Sequence, residues 1–102
     1  MAGLNEICIT QTAATVLALL GEKKGAEMVE PDRRVLAQAE KLYGAGGCDR
    51  VFMYHPDAVA MWIYEKYRAH FAQLEKRAAL RLPMRSVVPP VTPVAFASMY
   101  SG

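Results

Sequence analysis

The chain is short of what several function classes require. Two cysteines, Cys8 and Cys48, stand forty positions apart. They form no CxxC and have no histidine beside them, which leaves a zinc cluster unsupported. A disulfide between them stays open, but two buried thiols in a reducing cytoplasm are the expectation, so the chain is read as cytoplasmic. No apolar run is long enough to span a membrane: Ala13 to Leu20 is the nearest. Glu6 precedes that run, no Lys or Arg does, and no small-x-small cleavage site follows, so a signal peptide is not supported. Charge of one sign is also scarce. The net charge is +2, too small to point to a nucleic-acid partner, and the basic pairs Lys23-Lys24 and Arg33-Arg34 read as solvated faces. Repeats and low-complexity tracts are absent.

What is present is a globular chain. Its 102 residues are 53% hydrophobic and 22% charged. That suits one small domain with a modest core and argues against disorder.

Met1 to Ile9 reads as a lead-in. Thr10 or Thr12 can cap a first helix, in which Ala13, Val16, Leu17 and Leu20 make a buried stripe and Gly21 marks the end. Glu22 to Val29 is polar and reads as a loop. A second helix begins near Pro31 or Asp32, with Val35, Leu36, Ala39, Leu42 and Tyr43 on its apolar face. Gly44-Ala45-Gly46-Gly47 stops it. This glycine cluster is not a phosphate loop, because it lacks the Gly-Lys-Ser/Thr ending and precedes a strand instead of following one.

Arg50-Val51-Phe52-Met53-Tyr54 is a nearly continuous apolar run, as expected of a strand covered on both faces in a parallel sheet. Pro56 ends it. From Ala58 one long helix is expected to run to Leu74 or beyond, with Ala60, Ile63, Tyr64, Tyr67, Phe71 and Leu74 on one stripe. His70 falls mid-helix as a surface or packing residue. Leu82-Pro83 marks the return, and Arg85 to Val88 the next strand. Thr92 then suits the cap of a last helix, Pro93 its first turn and Gly102 its end.

The expected order is helix, helix, strand, helix, strand, helix. Strand-helix-strand implies a right-handed crossover between parallel strands. Ligands of such sheets bind beyond the carboxyl ends of the strands. Asp57 follows one strand and Thr92 the other, so both are expected at one sheet edge. A carboxylate and a hydroxyl placed so suit ester hydrolysis, with a metal ion that lowers the hydroxyl pKa. From its local pattern alone Thr92 reads as a helix cap, Asp57 at least equally as a cap in a His-Pro-Asp turn, and His55 as a partly exposed side chain ahead of a group supporting the site.

The segment Val91-Thr92-Pro93, an aromatic at Phe96, then Met99-Tyr100-Ser101-Gly102 resembles the nucleophile segment of the type I phosphodiesterase/nucleotide pyrophosphatase family, within the alkaline phosphatase superfamily. The likeness is most specific from Val87 to Gly102. Tyr54-His55-Pro56-Asp57-Ala58 resembles the family's first metal-binding motif, although the family commonly has Gly where Ala58 stands and places its first strand nearer the N-terminus. The resemblance implies Thr92 as nucleophile and metal ligand, Asp57 as metal ligand, and two divalent metal ions, zinc with manganese as the alternative. It implies a phosphate ester or nucleotide as substrate. Sulfatases share the superfamily, but their Cys/Ser-x-Pro-x-Arg segment is missing here.

The implied fold is α/β: the beginning of an alkaline phosphatase-like parallel-sheet sandwich. Residues 1–48 are expected as an N-terminal helical extension, and residues 49–102 as the first strand-helix-strand-helix of the catalytic domain. Beyond Asp57 the only acidic residues are Glu65 and Glu75. A two-metal site needs roughly six protein ligands. The expectation is therefore an N-terminal fragment of a longer enzyme, inactive by itself. The competing expectation is a small helix-rich interaction module whose apolar stripes bind a partner.

Overall fold

A computed structural model of the chain describes residues 6–56, 59–87 and 92–101. The chain enters through a two-residue strand, β1 (Ile7–Cys8), and a 3-10 turn, Ile9–Gln11, that leads into α1 (Thr12–Leu19). Three polar side chains build this entry. The Gln11 side-chain oxygen accepts from the Cys8 backbone N–H at 3.0 Å. The Thr12 hydroxyl donates to the Ile9 carbonyl at 2.8 Å, and the Thr15 hydroxyl to the Gln11 carbonyl at 2.7 Å. The Thr15 hydroxyl also accepts from the Asp32 N–H at 3.0 Å, and the buried residues of α1 are Thr12, Ala14 and Thr15. The expected stripe of Ala13, Val16, Leu17 and Leu20 is not the buried one, and Leu20 is exposed. A helix that is apolar nearly all round gives no periodic signal to choose a face; the threonines can face inward because their hydroxyls are hydrogen-bonded.

Gly21 closes α1 with φ 77°, as its position suggested. The glycine cluster then folds back on the same helix end. The Cys48 N–H donates to the Leu19 carbonyl at 2.7 Å, and Gly47 adopts φ 78°. A Cβ on Gly47 would sit 2.9 Å from the Leu19 carbonyl oxygen, whereas one on Gly46 would meet nothing within 4 Å. Gly47→Ala is thus expected to lose about 1–2 kcal/mol from its backbone conformation alone, and more from the contact. Gly46→Ala should be near neutral. Urea melts of the two variants read the difference, and equal midpoints would contradict the close approach.

Helix α2 (Arg33–Tyr43) starts at an Asp32 cap whose side chain accepts from the Arg34 and Val35 N–H groups. It ends at Gly44 with φ 86°. Val35, Leu36 and Ala39 are half-buried, but Leu42 and Tyr43 at its end are exposed.

The middle of the chain departs from expectation. Residues 50–54 form no strand; Phe52 is 90% exposed and Tyr54 82%. The strand β2 (Met84–Arg85) pairs in parallel with β1, in the register Ile7 to Met84 and Cys8 to Arg85. The Ile7 N–H also donates to the Pro83 carbonyl at 2.9 Å. Ile7–Cys8, expected in a lead-in, therefore holds the ladder position expected for 50–54. An apolar run announces burial but not its partner, and two strands compete for one edge.

The long helix is also broken. It becomes α3 (Met61–Lys66), a 3-10 turn Arg68–Phe71 and α4 (Ala72–Arg77). The break lies at Tyr67, with φ −112° and ψ 32°. Tyr64, Tyr67, His70 and Phe71 crowd this point, and aromatic residues favour helix interiors little. Of the expected stripe, Ile63, Tyr64 and Phe71 are half-buried and the others are exposed.

The last helix, α5 (Thr92–Ser101), begins where its cap was expected, and it packs on the Ile9–Gln11 turn and on α1. The core gathers there. Among the described residues, the buried apolar side chains are Ile7, Ile9, Ala14 and Met99. That is little for a chain in which Phe52, Tyr54, Trp62, Leu74 and Tyr43 stand exposed. No helix of the described residues is long and apolar enough to cross a membrane. Cys8 and Cys48 are free thiols, both half-buried.

Candidate functional site

Helix α5 carries the candidate nucleophile at its first residue. The local sequence explains the start: Pro93 fixes a helical φ and has no N–H to leave unpaired. Ten residues of helix bring free N–H groups and the positive end of the macrodipole to the Thr92 end. The side chain of Thr92 and the whole of Asp57 lie outside the described residues, as do Ala58 and Val88 to Val91.

The segment just before Asp57 reaches α5 at its far end. His55 and Tyr100 meet edge to face with ring centroids 5.9 Å apart and planes at 84°. The Tyr100 hydroxyl and His55 Nδ1 lie 3.4 Å apart. His55 and Pro56 also line a cleft of about 380 Å³ with Thr12, Met84 and the buried Met99. Tyr100 lies eight residues along the helix from Thr92, or about 12 Å at the usual rise. His55 is thus tied to the tail of α5, in a ring contact that sequence pattern did not suggest.

The acidic side chains of the middle segment serve other purposes. Glu75 is engaged by three groups, all at Oε1. The Tyr64 hydroxyl donates to its Oε1, Arg68 Nε donates at 2.9 Å, and Arg81 Nη1 lies at 3.2 Å. The Tyr64 hydrogen bond, helped by the two guanidiniums, holds the Glu75 carboxyl below its ordinary range. A carboxylate so occupied is a poor spare ligand. Glu65 is exposed on α3, and His70, also exposed, packs beside the Tyr67 ring at 6.2 Å.

Cys8 has a setting the sequence did not reveal. The Thr10 hydroxyl donates to its sulfur at 3.1 Å. That bond lowers the thiol pKa, with the nearby Arg85 adding to it and burial opposing it. Among the described residues, no group of three His, Cys, Asp or Glu is placed to hold a metal ion. The described residues therefore do not fit a two-metal centre.

Compared with protein-family models, with curated proteins and with solved structures, the chain gives no match.

Proposed function

We propose that this chain carries the nucleophile helix of a phosphoric ester hydrolase, similar to the phosphodiesterases and nucleotide pyrophosphatases, with Thr92 as nucleophile. The observation that carries the reading is a ten-residue helix opening at Thr92, downstream of a strand in a parallel pair. A helix start favours the anionic charge of a bound phosphate. The reaction would begin with attack of the Thr92 oxygen on phosphorus. A new O–P bond forms, the leaving-group oxygen departs with its bonding pair, and the hydroxyl proton passes to base. Water then displaces Thr92 from phosphorus and restores the hydroxyl.

In this reading Asp57 and Thr92 are metal ligands, and the remaining ligands for two zinc or manganese ions would come from polypeptide outside this chain. In this reading the parallel pair would open an alkaline phosphatase-like sheet, with Ile7–Cys8 and not residues 50–54 beside Met84–Arg85. The substrate is a phosphate mono- or diester, nucleotide pyrophosphates included.

A second reading, a partner-binding module without catalysis, is favoured by one observation: Phe52, Tyr54, Trp62 and Leu74 are all more than 60% exposed. Tyr54 and Leu74 line one groove, and contiguous apolar surface suits a face that another polypeptide covers.

Two assays separate the readings. The 102-residue chain alone is expected to bind zinc weakly and to leave a p-nitrophenyl phosphodiester intact. The complete protein should hydrolyse it. Clear turnover by the chain alone contradicts the need for outside ligands. A complete protein that is folded, metal-loaded and inert on mono- and diesters contradicts the hydrolase.

A further inference from the structure

Apart from the Thr92 helix, an open groove of about 1210 Å³ runs between α3, α4 and the returning segment 78–84. Its walls mix apolar side chains, Phe71, Leu74, Leu80 and Leu82 among them, with tyrosines and charged groups. Leu74 is 61% exposed. Its ionic side chains are Glu65 and the Arg68–Glu75–Arg81 cluster. Each arginine reaches the carboxylate through a single nitrogen, Arg68 by Nε and Arg81 by Nη1. A guanidinium has five N–H donors in a flat fork. Both arginines stand about half exposed. Two cations share one anion, so the cluster keeps a positive excess and donors for a second carboxylate.

The surroundings repeat that sign. Residues 65–85 hold six basic residues (Lys66, Arg68, Lys76, Arg77, Arg81 and Arg85) against two acidic ones, Glu65 and Glu75. That is an excess of four positive charges in a chain whose net charge is +2, so the remainder is net negative. All six basic residues are exposed.

We propose that this groove is the docking site for an acidic amphipathic helix of a partner polypeptide. Its apolar stripe packs on Leu74, Phe71 and Leu80, and one of its carboxylates bridges Arg68 and Arg81. The charge complementarity selects the partner's sign. The apolar side chains of its walls select an apolar face spaced as on a helix. The groove is larger and more open than the few hundred to 1,000 Å³ typical of a small-ligand pocket, which favours a polypeptide occupant. The inference stands on this groove and not on the chemistry proposed for Thr92.

The test is fluorescence anisotropy on the full chain with a labelled synthetic helix of about 18 residues, leucines on one face and glutamates flanking them. A twin helix with lysines for glutamates is the control, and vesicles containing phosphatidylserine are a further arm. The glutamate helix is expected to bind saturably and to weaken as salt rises. Arg68→Gln with Arg81→Gln should weaken it by about tenfold or more. Leu74→Ser, at an exposed position where circular dichroism should remain unchanged, should weaken it similarly. Equal binding of the lysine helix overturns the proposal. So does binding of vesicles but not of the helix, or full affinity in both variants.

Discussion

Replacing Thr92 by alanine in the complete protein is expected to abolish ester hydrolysis while leaving the fold standing. The residue has two roles in the proposed reading, and they differ greatly in magnitude. As a helix-start residue it contributes about 1 kcal/mol, which a folded domain survives. As a covalent nucleophile it opens the only pathway, so its loss costs orders of magnitude in turnover. Thr92→Ser should keep part of the rate, because a primary hydroxyl can still reach phosphorus. Melting temperature and turnover measured on the same variants separate the two roles. Near-normal turnover in Thr92→Ala with a lowered melting temperature makes Thr92 a cap and nothing more.

The largest effect on stability is expected at Asp32. The residue is 4% exposed and joins three parts of the fold, through its carboxylate and its backbone N–H. One oxygen accepts from the Arg34 and Val35 N–H groups at 2.9 and 3.1 Å, which starts α2. The other meets the Arg34 guanidinium at 2.7 Å, and the same nitrogen donates to the Glu6 carbonyl at 2.8 Å. The Asp32 N–H donates to the Thr15 hydroxyl at 3.0 Å, which fastens α2 to α1. Asp32→Ala removes a cap and the partner of Arg34, whose side chain is 38% exposed and so partly rehydrated. A loss of about 2–3 kcal/mol is expected. For a domain of this size that lowers Tm by roughly 10–20 °C.

The same carboxylate gives stability a dependence on pH. The Arg34 guanidinium, followed by the Val35 and Arg34 N–H groups, holds the Asp32 carboxyl below its ordinary range against the opposing effect of burial. A carboxyl whose pKa is lower folded than unfolded binds its proton more readily in the unfolded chain. Its contribution is therefore complete above the ordinary aspartate value of about 3.9 and is lost as pH falls through the lower folded value. Melts should change little from this group between pH 5 and 7 and fall below about pH 4. Asp32→Asn should flatten that acid limb. An unchanged acid limb in the asparagine variant would place its origin elsewhere.

Local chemistry was the legible part of this sequence. Asp32 before an apolar-periodic run, Gly44 after it, Gly21 after α1 and Thr92-Pro93 opening α5 each act within one turn of chain, and each stands at a helix boundary. Partner choice was not legible. Arg50 to Tyr54 has the composition of a covered strand, yet Ile7–Cys8 holds the ladder with Met84–Arg85. Nothing within either segment decides between them, because strand pairing is settled by distant chain. The inward face of α1 was hidden for a related reason: the Thr15 hydroxyl on it meets the distant Asp32 N–H, and no apolar periodicity marks it. At the candidate site, the helix start at Thr92 could be read. The ring contact of His55 with Tyr100 could not, since forty-five residues separate them. Nor could the clasp of Arg68 and Arg81 on Glu75, which depends on the break at Tyr67.

The measurement that bears most directly on Thr92 is a search for its covalent adduct. The complete protein, mixed with a phosphodiester and quenched in acid within the first turnover, is digested and mapped by mass spectrometry. The proposed chemistry predicts a phosphoryl ester on the peptide that carries Thr92, on the Thr92 oxygen, and none in Thr92→Ala. Active enzyme that yields an adduct on another residue would contradict it, as would an adduct that persists in Thr92→Ala.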